Sequence, residues 1–195
     1  SSVLSTHTAG FSGYTFRDLT DDMPTIKAHW LKEGIRFDAI YTGYLGSTKQ
    51  IDYVSEIFRD TAAEGCLKIV DPAMADNGKL YPGFDEAFVE AMKGLCGQAD
   101  YVVPNLTEAC LLTGMEYRTE YDRAYIDTIL EKLGALGCPN VIFTGVSYAE
   151  GKTGNECIPL NYNNNGFVYT FSENAELLPE NVKAAAQAAW DKLVA

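Results

Sequence analysis

The sequence alternates between short apolar segments suited to β-strands and longer segments whose apolar residues recur at helical spacing. The strand-like segments are "FDAIYTGYLG" (37–46), "CLKIVDP" (66–72), "ADYVVPN" (99–105) and "NVIFTGVS" (140–147). The helix-like segments are "STKQIDYVSEIFRDTAAEG" (47–65), "DEAFVEAMKGL" (85–95), "LTEACLLTG" (106–114) and "YDRAYIDTILEKLGALG" (121–137). Because strands joined by helices of this length pair in parallel, the pattern predicts a doubly wound, mainly parallel α/β sheet flanked by helices.

Signals for helix ends accompany this pattern. Ser47 and Gln50 have the spacing of a capping box at a helix N-terminus. The apolar residues that follow them recur at helical spacing, and Gly65 stands where a C-terminal cap is expected. Gly114 closes the helix-like segment 106–114 in the same way. These signals predict one helix from about residue 48 to 64 and another that ends before Gly114.

The last third of the chain has a different pattern. "ECIPLNYNNNGFVYTF" (156–171) indicates two strands joined by an Asn-Gly turn, which is a good hairpin signal. "LPENVKAAAQAAWDKLVA" (178–195) is rich in alanine and predicts a terminal helix, with Pro179 near its first position. Since no linker divides the chain, we expect a single domain over residues 1–195.

The charge balance limits the classes of partner. The chain has 15 basic and 27 acidic residues, which gives a net charge of −12. This balance argues against a nucleic-acid-binding protein, because no basic patch would neutralise phosphates. A nucleotide site is still compatible with it, since a pocket with a metal ion can offset the global charge locally.

The cysteines and the hydropathy pattern indicate the compartment. The five cysteines are an odd number without a C-x-x-C pair, which is typical of a reducing environment. No run of 18 apolar residues and no charged-then-apolar leader occurs. We therefore expect a cytoplasmic protein with neither a membrane span nor a signal peptide.

Polar side chains follow several of the predicted strands. Asp71 and Asp76 lie in the segment "DPAMADNGKLY" (71–81), and Asn105 and Glu108 stand three residues apart at a predicted helix start. In a parallel sheet these loops lie at one edge, where ligands bind. Carboxylate and amide oxygens suit Mg²⁺, which bridges to phosphate oxygens. Taken singly, each motif is also explained by an Asp-Pro turn or by helix capping.

Four motifs, in order, resemble those of pyridoxal (pyridoxamine) kinases of the ribokinase superfamily. The motifs are "STHTAGFSGYTFRDLTDD" (5–22), "YTGYLGS" (41–47), "DPAMADNGKLY" (71–81) and "ADYVVPNLTEACLLTG" (99–114). The resemblance runs from about residue 5 to 152, whereas the hairpin and helix over 153–195 do not align. It implies a ribokinase-like core and transfer of the ATP γ-phosphate to the 5′-hydroxyl of pyridoxal, pyridoxamine or pyridoxine.

The resemblance also implies roles for individual residues. His7, Thr8 and Tyr44 match residues on the vitamin side of the family's site. The residues that match the nucleotide side are Asp76, Tyr81, Asn105, Glu108 and Thr144.

The implied co-substrate and metal are ATP and Mg²⁺. The candidate metal residues are Asp76 and Glu108, with Asp71 in a network that also implies a monovalent cation. A homodimer is a further implication of the family.

The chain also departs from the family pattern. Ala75 replaces a loop glycine, and Val103 stands where many relatives have threonine. The largest departure is that no G-T-G-D string occurs, and that motif carries the family's catalytic base and anion hole. We therefore predict no catalytic base within this chain. A fragment of a larger enzyme, an engineered core and a natural inactive relative or binding module all remain open as alternatives to an active kinase.

Overall fold

The computed structural model describes residues 2–6, 12–137 and 139–146, together with two strands at 160–163 and 168–170. Among the sequence predictions, His7, Thr8, the Asn-Gly turn near residue 165 and the terminal helix lie outside the described residues.

The described residues form ten strands and five helices. The strands are β1 (Val3–Ser5), β2 (Phe16–Asp18), β3 (Phe37–Thr42), β4 (Ala62–Val70), β5 (Ala75–Asp76), β6 (Lys79–Leu80), β7 (Tyr101–Val102), β8 (Asn140–Phe143), β9 (Leu160–Asn163) and β10 (Val168–Thr170). The helices are α1 (Met23–Lys32), α2 (Thr48–Thr61), α3 (Glu86–Cys96), α4 (Leu106–Thr113) and α5 (Arg123–Gly134). No helix of this described part is long and apolar enough to cross a membrane.

Six strands form the central sheet in the order β10-β9-β8-β7-β4-β3. Strands β3, β4, β7 and β8 pair in parallel, whereas β9 and β10 join as an antiparallel pair at one edge. Helices α2 to α5 lie in the connections between the parallel strands. This arrangement confirms the predicted α/β fold class and the pair of strands predicted in the last third.

The register of the sheet aligns one buried row of side chains across the four parallel strands. This row contains Thr42, Val70, Val102 and Val141. It belongs to a core that the apolar faces of the helices complete, for example through Ile51 of α2 and Ile129 of α5. Burial of these faces is the main favourable term that holds the helices in place.

The predicted C-terminus of α2 is wrong. The helix ends at Thr61, and β4 begins directly at Ala62 rather than after a cap at Gly65. Gly65 lies inside β4 with φ +75°, where the pairing with β3 shifts register between Phe37 and Ala39. A glycine in the left-handed region absorbs such an irregularity without strain, so the same residue type serves a bulge rather than a cap.

The start of α2 is predicted correctly at Ser47, but the capping box is only half formed. The Ser47 side chain accepts a hydrogen bond from the Gln50 backbone. The Gln50 side chain instead accepts from the Gly46 N–H at 2.7 Å and donates to the Ser2 carbonyl at 2.9 Å. Since Gln50 is 0% exposed, this buried amide ties the N-terminal segment to the loop after β3.

We predict that Gln50→Leu destabilises the protein, because the Gly46 N–H then lacks a protein acceptor. The unfolding free energy should fall by about 2 kcal/mol in chemical denaturation. Gln98→Leu is the matched control, since the exposed Gln98 amide only donates to Ser55 and the Gly94 carbonyl. The control should change stability by less than about 0.5 kcal/mol. Equal losses in the two variants would contradict a special role for Gln50.

Candidate active site

The loops that follow the parallel strands meet at one edge of the sheet, as the sequence predicts. The Asp71 N–H donates to the Thr42 carbonyl at 2.9 Å, which joins the loops after β3 and β4. The Thr144 N–H and hydroxyl both donate to the Pro104 carbonyl, at 2.9 and 3.2 Å. Thr144 therefore lies against the loop that carries Asn105.

The loop after β4 forms a small hairpin that carries Asp76. Strands β5 and β6 pair Ala75 with Leu80 and Asp76 with Lys79, so Asn77 and Gly78 form a two-residue turn. Their φ angles are +50° and +76°, as a type I′ turn requires. The exposed Asp76 carboxylate accepts from the Asn77 N–H at 2.8 Å and from the Asn77 amide at 3.0 Å. The turn thus holds Asp76 at the edge of the sheet.

The predicted Asn105 and Glu108 pair forms a complete capping box at the start of α4. Asn105 Oδ1 accepts from the Glu108 N–H at 3.0 Å, and Glu108 Oε2 accepts from the Asn105 N–H at 2.8 Å. Each side chain also holds the Asp76 loop. Asn105 Nδ2 donates to the Ala75 carbonyl at 2.9 Å, and Glu108 Oε1 accepts from the Met74 N–H at 3.2 Å. The pair is therefore both a cap and a brace between two loops.

Burial dominates the electrostatics of Glu108. This residue is 3% exposed, and burial raises the pKa of its carboxyl to about 7 from an ordinary 4.5. The hydrogen bonds from backbone N–H groups favour the carboxylate and limit this rise, whereas the negative charge of Asp71 adds to it. Glu108 consequently changes its charge near neutral pH.

The electrostatic surroundings of Tyr81 include three carboxyl groups. Burial is the main cause that raises the pKa of Tyr81, and the negative charges of Glu108, Asp76 and Asp71 raise it further. Asp71 itself accepts a 2.8 Å hydrogen bond from the Tyr41 hydroxyl, and burial raises the pKa of its carboxyl. The fold thus brings together the three acids and the tyrosine that the sequence analysis selected.

The donor set fits a magnesium ion that is bound partly through water. Both oxygens of Glu108 already accept backbone hydrogen bonds, so this side chain is suited to an indirect role. The Asp76 carboxylate is exposed, and its hydrogen bonds within the described residues come from Asn77. Within the described residues no three His, Cys, Asp or Glu side chains form a closed metal cluster. Mg²⁺ commonly uses one or two carboxylates together with phosphate oxygens and waters.

Tyr44 lies beside a separate apolar cavity. This cavity has a volume of about 380 Å³ and lies between β3, α1 and α2. Its end near the active site includes Thr42 and Tyr44, and the Tyr44 ring lies 5.6 Å from the ring of Phe84. The acids of the loops do not line it, but the backbone bond from Asp71 to Thr42 makes the two regions neighbours.

Ala75 and Val103, which differ from the family pattern, have different surroundings. Ala75 is fully buried and lies in β5 without a positive φ, so an alanine fits this backbone without strain. The Val103 N–H donates to the Val70 carbonyl at 2.9 Å and continues the sheet register. The valine side chain supplies no oxygen for a cation beside Asp71.

Sequence reasoning missed two parts of this site. The first is the hairpin, although Asn77 and Gly78 form the same Asn-Gly signal that predicted a turn near residue 165. The second is Thr107, which is 3% exposed and accepts from the Gly78 N–H at 3.0 Å. No sequence signal marks Thr107, because a threonine in the first turn of a helix is commonplace.

The sequence model of the phosphomethylpyrimidine kinase family matches residues 11–176. The chain belongs to this family. Its curated relatives include the pyridoxine kinase of Bacillus subtilis, which is 30% identical over 132 residues, or 64% of this chain and 45% of the relative. The pyridoxal kinase of Paraburkholderia xenovorans is 39% identical over 88 residues, or 43% of this chain and 30% of the relative. These relatives confirm the resemblance to pyridoxal kinases of the ribokinase superfamily.

Solved structures agree with this assignment. A Bacteroides thetaiotaomicron protein described as a phosphomethylpyrimidine kinase, solved with pyridoxal, is 35% identical with a TM-score of 0.78. The pyridoxal kinase of Lactobacillus plantarum is 32% identical with a TM-score of 0.72. Each match covers 86% of this chain and 58% of the other. The chain therefore spans less than half of the curated relatives above and somewhat more than half of these structures.

The raised pKa of Glu108 predicts a specific dependence of stability on pH. Between about pH 4.5 and 7 the folded protein keeps a proton on Glu108 that the unfolded chain releases, so this group stabilises the folded state less as pH rises. The unfolding free energy of the wild type, relative to Glu108→Gln, should fall by on the order of 3 kcal/mol from pH 5 to pH 8.

Glu131→Gln is the control for this measurement, because Glu131 is exposed on α5. Its stability should follow the wild type at every pH. A constant difference between wild type and Glu108→Gln across the range would show that Glu108 titrates normally.

Proposed function

We propose that this chain is a pyridoxal kinase-like phosphotransferase. The reaction would move the γ-phosphate of ATP to the 5′-hydroxyl of pyridoxal, pyridoxamine or pyridoxine, with the assistance of Mg²⁺. The family membership supports phosphoryl transfer, and the names of the relatives together with the pyridoxal in the similar Bacteroides structure support a B6 vitamer as acceptor.

The observation that carries this proposal is the bracing of the Asp76 hairpin by Asn105 and Glu108 at the carboxyl edge of the sheet. Phosphoryl transfer is catalysed mainly by positioning and by electrostatic stabilisation of the transferred group. Bound Mg²⁺ would supply charge neutralisation of the phosphate oxygens. Asp76 would hold the ion, while Glu108 would orient its water shell from the position fixed by its two backbone hydrogen bonds.

The remaining site residues take roles around this centre. Thr144 lies against the Asn105 loop and would contact the nucleotide, and Tyr81 would cover the phosphates. On the acceptor side, Tyr44 would contact the vitamer together with His7 and Thr8. The adjoining cavity of about 380 Å³ falls within the usual size range of small-molecule sites.

Four further expectations stay predictions. The family implies a monovalent cation near Asp71 and a homodimer, and the sequence pattern indicates a single domain over residues 1–195 and a cytoplasmic location. The Val103 side chain weakens the case for the cation, because a threonine would have offered an oxygen ligand at that position.

A second candidate function is ligand binding without turnover. It is favoured by one observation, that the sequence has no G-T-G-D string to supply a base and an anion hole. Loss of a general base costs about 10²–10⁴ in rate. Binding of nucleotide and vitamer would then persist while turnover falls.

A coupled ATP assay with pyridoxal distinguishes these candidates. For the kinase, we expect Mg²⁺-dependent turnover that falls about 10- to 100-fold in both Asp76→Asn and Glu108→Gln, because each change loosens the hold on the metal. Asp127→Asn is the control, since Asp127 lies on α5 and its ion pair within the described residues is with Arg123.

Calorimetry with ATP and with pyridoxal completes this test. Binding of both ligands without turnover would favour the second candidate, whereas absence of both binding signals would overturn both. Turnover that is unchanged in Asp76→Asn would contradict the role given to the hairpin.

A further inference from the structure

We infer that Thr107 is a positioning residue, which holds the Asp76 hairpin against α4 and so fixes Asp76 relative to Glu108. This inference deepens the proposed function and rests on it. It starts from the hydrogen bond in which the Gly78 N–H donates to Thr107 Oγ1 at 3.0 Å. Gly78 lies in the motif 71–81 and Thr107 in the motif 99–114, but the family resemblance assigned a role to neither side chain.

The first turn of α4 holds the loop after β4 at three successive points. Glu108 accepts from the Met74 N–H, Asn105 donates to the Ala75 carbonyl, and Thr107 accepts from the Gly78 N–H. The first two contacts fix the base of the hairpin. Only the third of these contacts reaches the turn, on the far side of Asp76.

The packing around Gly78 makes this third contact specific. A Cβ atom added to Gly78 would lie 2.8 Å from Tyr117 Cδ1, so the ring of Tyr117 lies directly against the turn. Gly78 also has φ +76°, which side-chain-bearing residues rarely adopt. The turn therefore contacts both the Tyr117 ring and the Thr107 hydroxyl through Gly78.

The position of Asp76 follows from the position of the turn. Its carboxylate is held by the backbone and side chain of Asn77, which is the first residue of the turn. A shift of the turn away from Thr107 would therefore carry the carboxylate with it. Because phosphoryl transfer depends on placement to within a fraction of an ångström, such a shift reduces the rate even where the fold persists.

Thr107→Val is the variant that tests this inference, because valine has a similar shape and removes the acceptor. Thr107→Ser keeps the hydroxyl and should therefore keep the hydrogen bond from the Gly78 N–H. Thr113→Val is the matched control on the same helix, since the Thr113 hydroxyl donates to the Ala109 and Cys110 carbonyls, away from the hairpin.

Amide hydrogen exchange at Gly78 reports on the contact without any activity. We expect exchange in Thr107→Val to be about 3- to 10-fold faster than in the wild type, with Thr107→Ser and Thr113→Val near the wild-type rate. Unchanged exchange in Thr107→Val would overturn the inference.

Turnover tests the positioning role itself. We expect Thr107→Val to lower kcat about 10-fold at saturating ATP, with the KM for pyridoxal unchanged and with recovery in Thr107→Ser. Faster exchange without a change in kcat would show that the contact is structural only, which overturns the role. A wild-type chain that neither binds ATP nor turns over would instead overturn the proposed function, and exchange at Gly78 would still decide whether the contact exists.

Discussion

The buried carboxylate of Glu108 is the contact on which the active edge of this protein depends. One of its oxygens accepts from the Asn105 N–H and the other from the Met74 N–H, so a single side chain joins the start of α4 to the loop after β4. Strands β4 and β7 are adjacent and parallel, which brings these two loops within reach of one another. The bond from the Asn105 amide to the Ala75 carbonyl adds a second contact to this junction, at the base of the Asp76 hairpin.

The burial of carboxyl groups at this junction also has an unfavourable free energy. Burial raises the pKa of Glu108 to about 7, and the pKa of the neighbouring Asp71 is also raised by burial. Ionised carboxyl groups in this setting are poorly solvated and repel one another, which opposes folding at neutral pH. A cation that binds at the site would relieve this repulsion. Such an arrangement of acids is typical of a functional site rather than of a purely structural contact.

Much of the fold could be predicted from the sequence, because hydrophobic periodicity is a local signal. The four parallel strands, the helices between them and the Ser47 start of α2 follow from the spacing of apolar and capping residues. Gly65 shows the limit of such signals. A glycine after a helix predicts a cap, but pairing with β3 extends β4 back to Ala62 and turns Gly65 into part of an irregular strand.

The candidate site was predictable in its members more than in its geometry. Asp71, Asp76, Asn105 and Glu108 were accessible from their residue types and from the family resemblance, since their loops follow parallel strands. Thr107 and Tyr117 were not, because their contacts with Gly78 join segments about 30 to 40 residues apart and depend on the exact path of the hairpin. Helix capping and the contact between loops are compatible, because Glu108 uses a different oxygen for each.

In the proposed function, Asp76 and Glu108 act as one unit through the braced hairpin. A double-mutant cycle of Asp76→Asn and Glu108→Gln, read out as the affinity for ATP in the presence of Mg²⁺ by calorimetry, measures this coupling. We expect the double variant to lose clearly less affinity than the sum of the two single losses, because removal of either residue already disables the shared unit. Losses that simply add would show that the two carboxyl groups act independently, and would contradict this account.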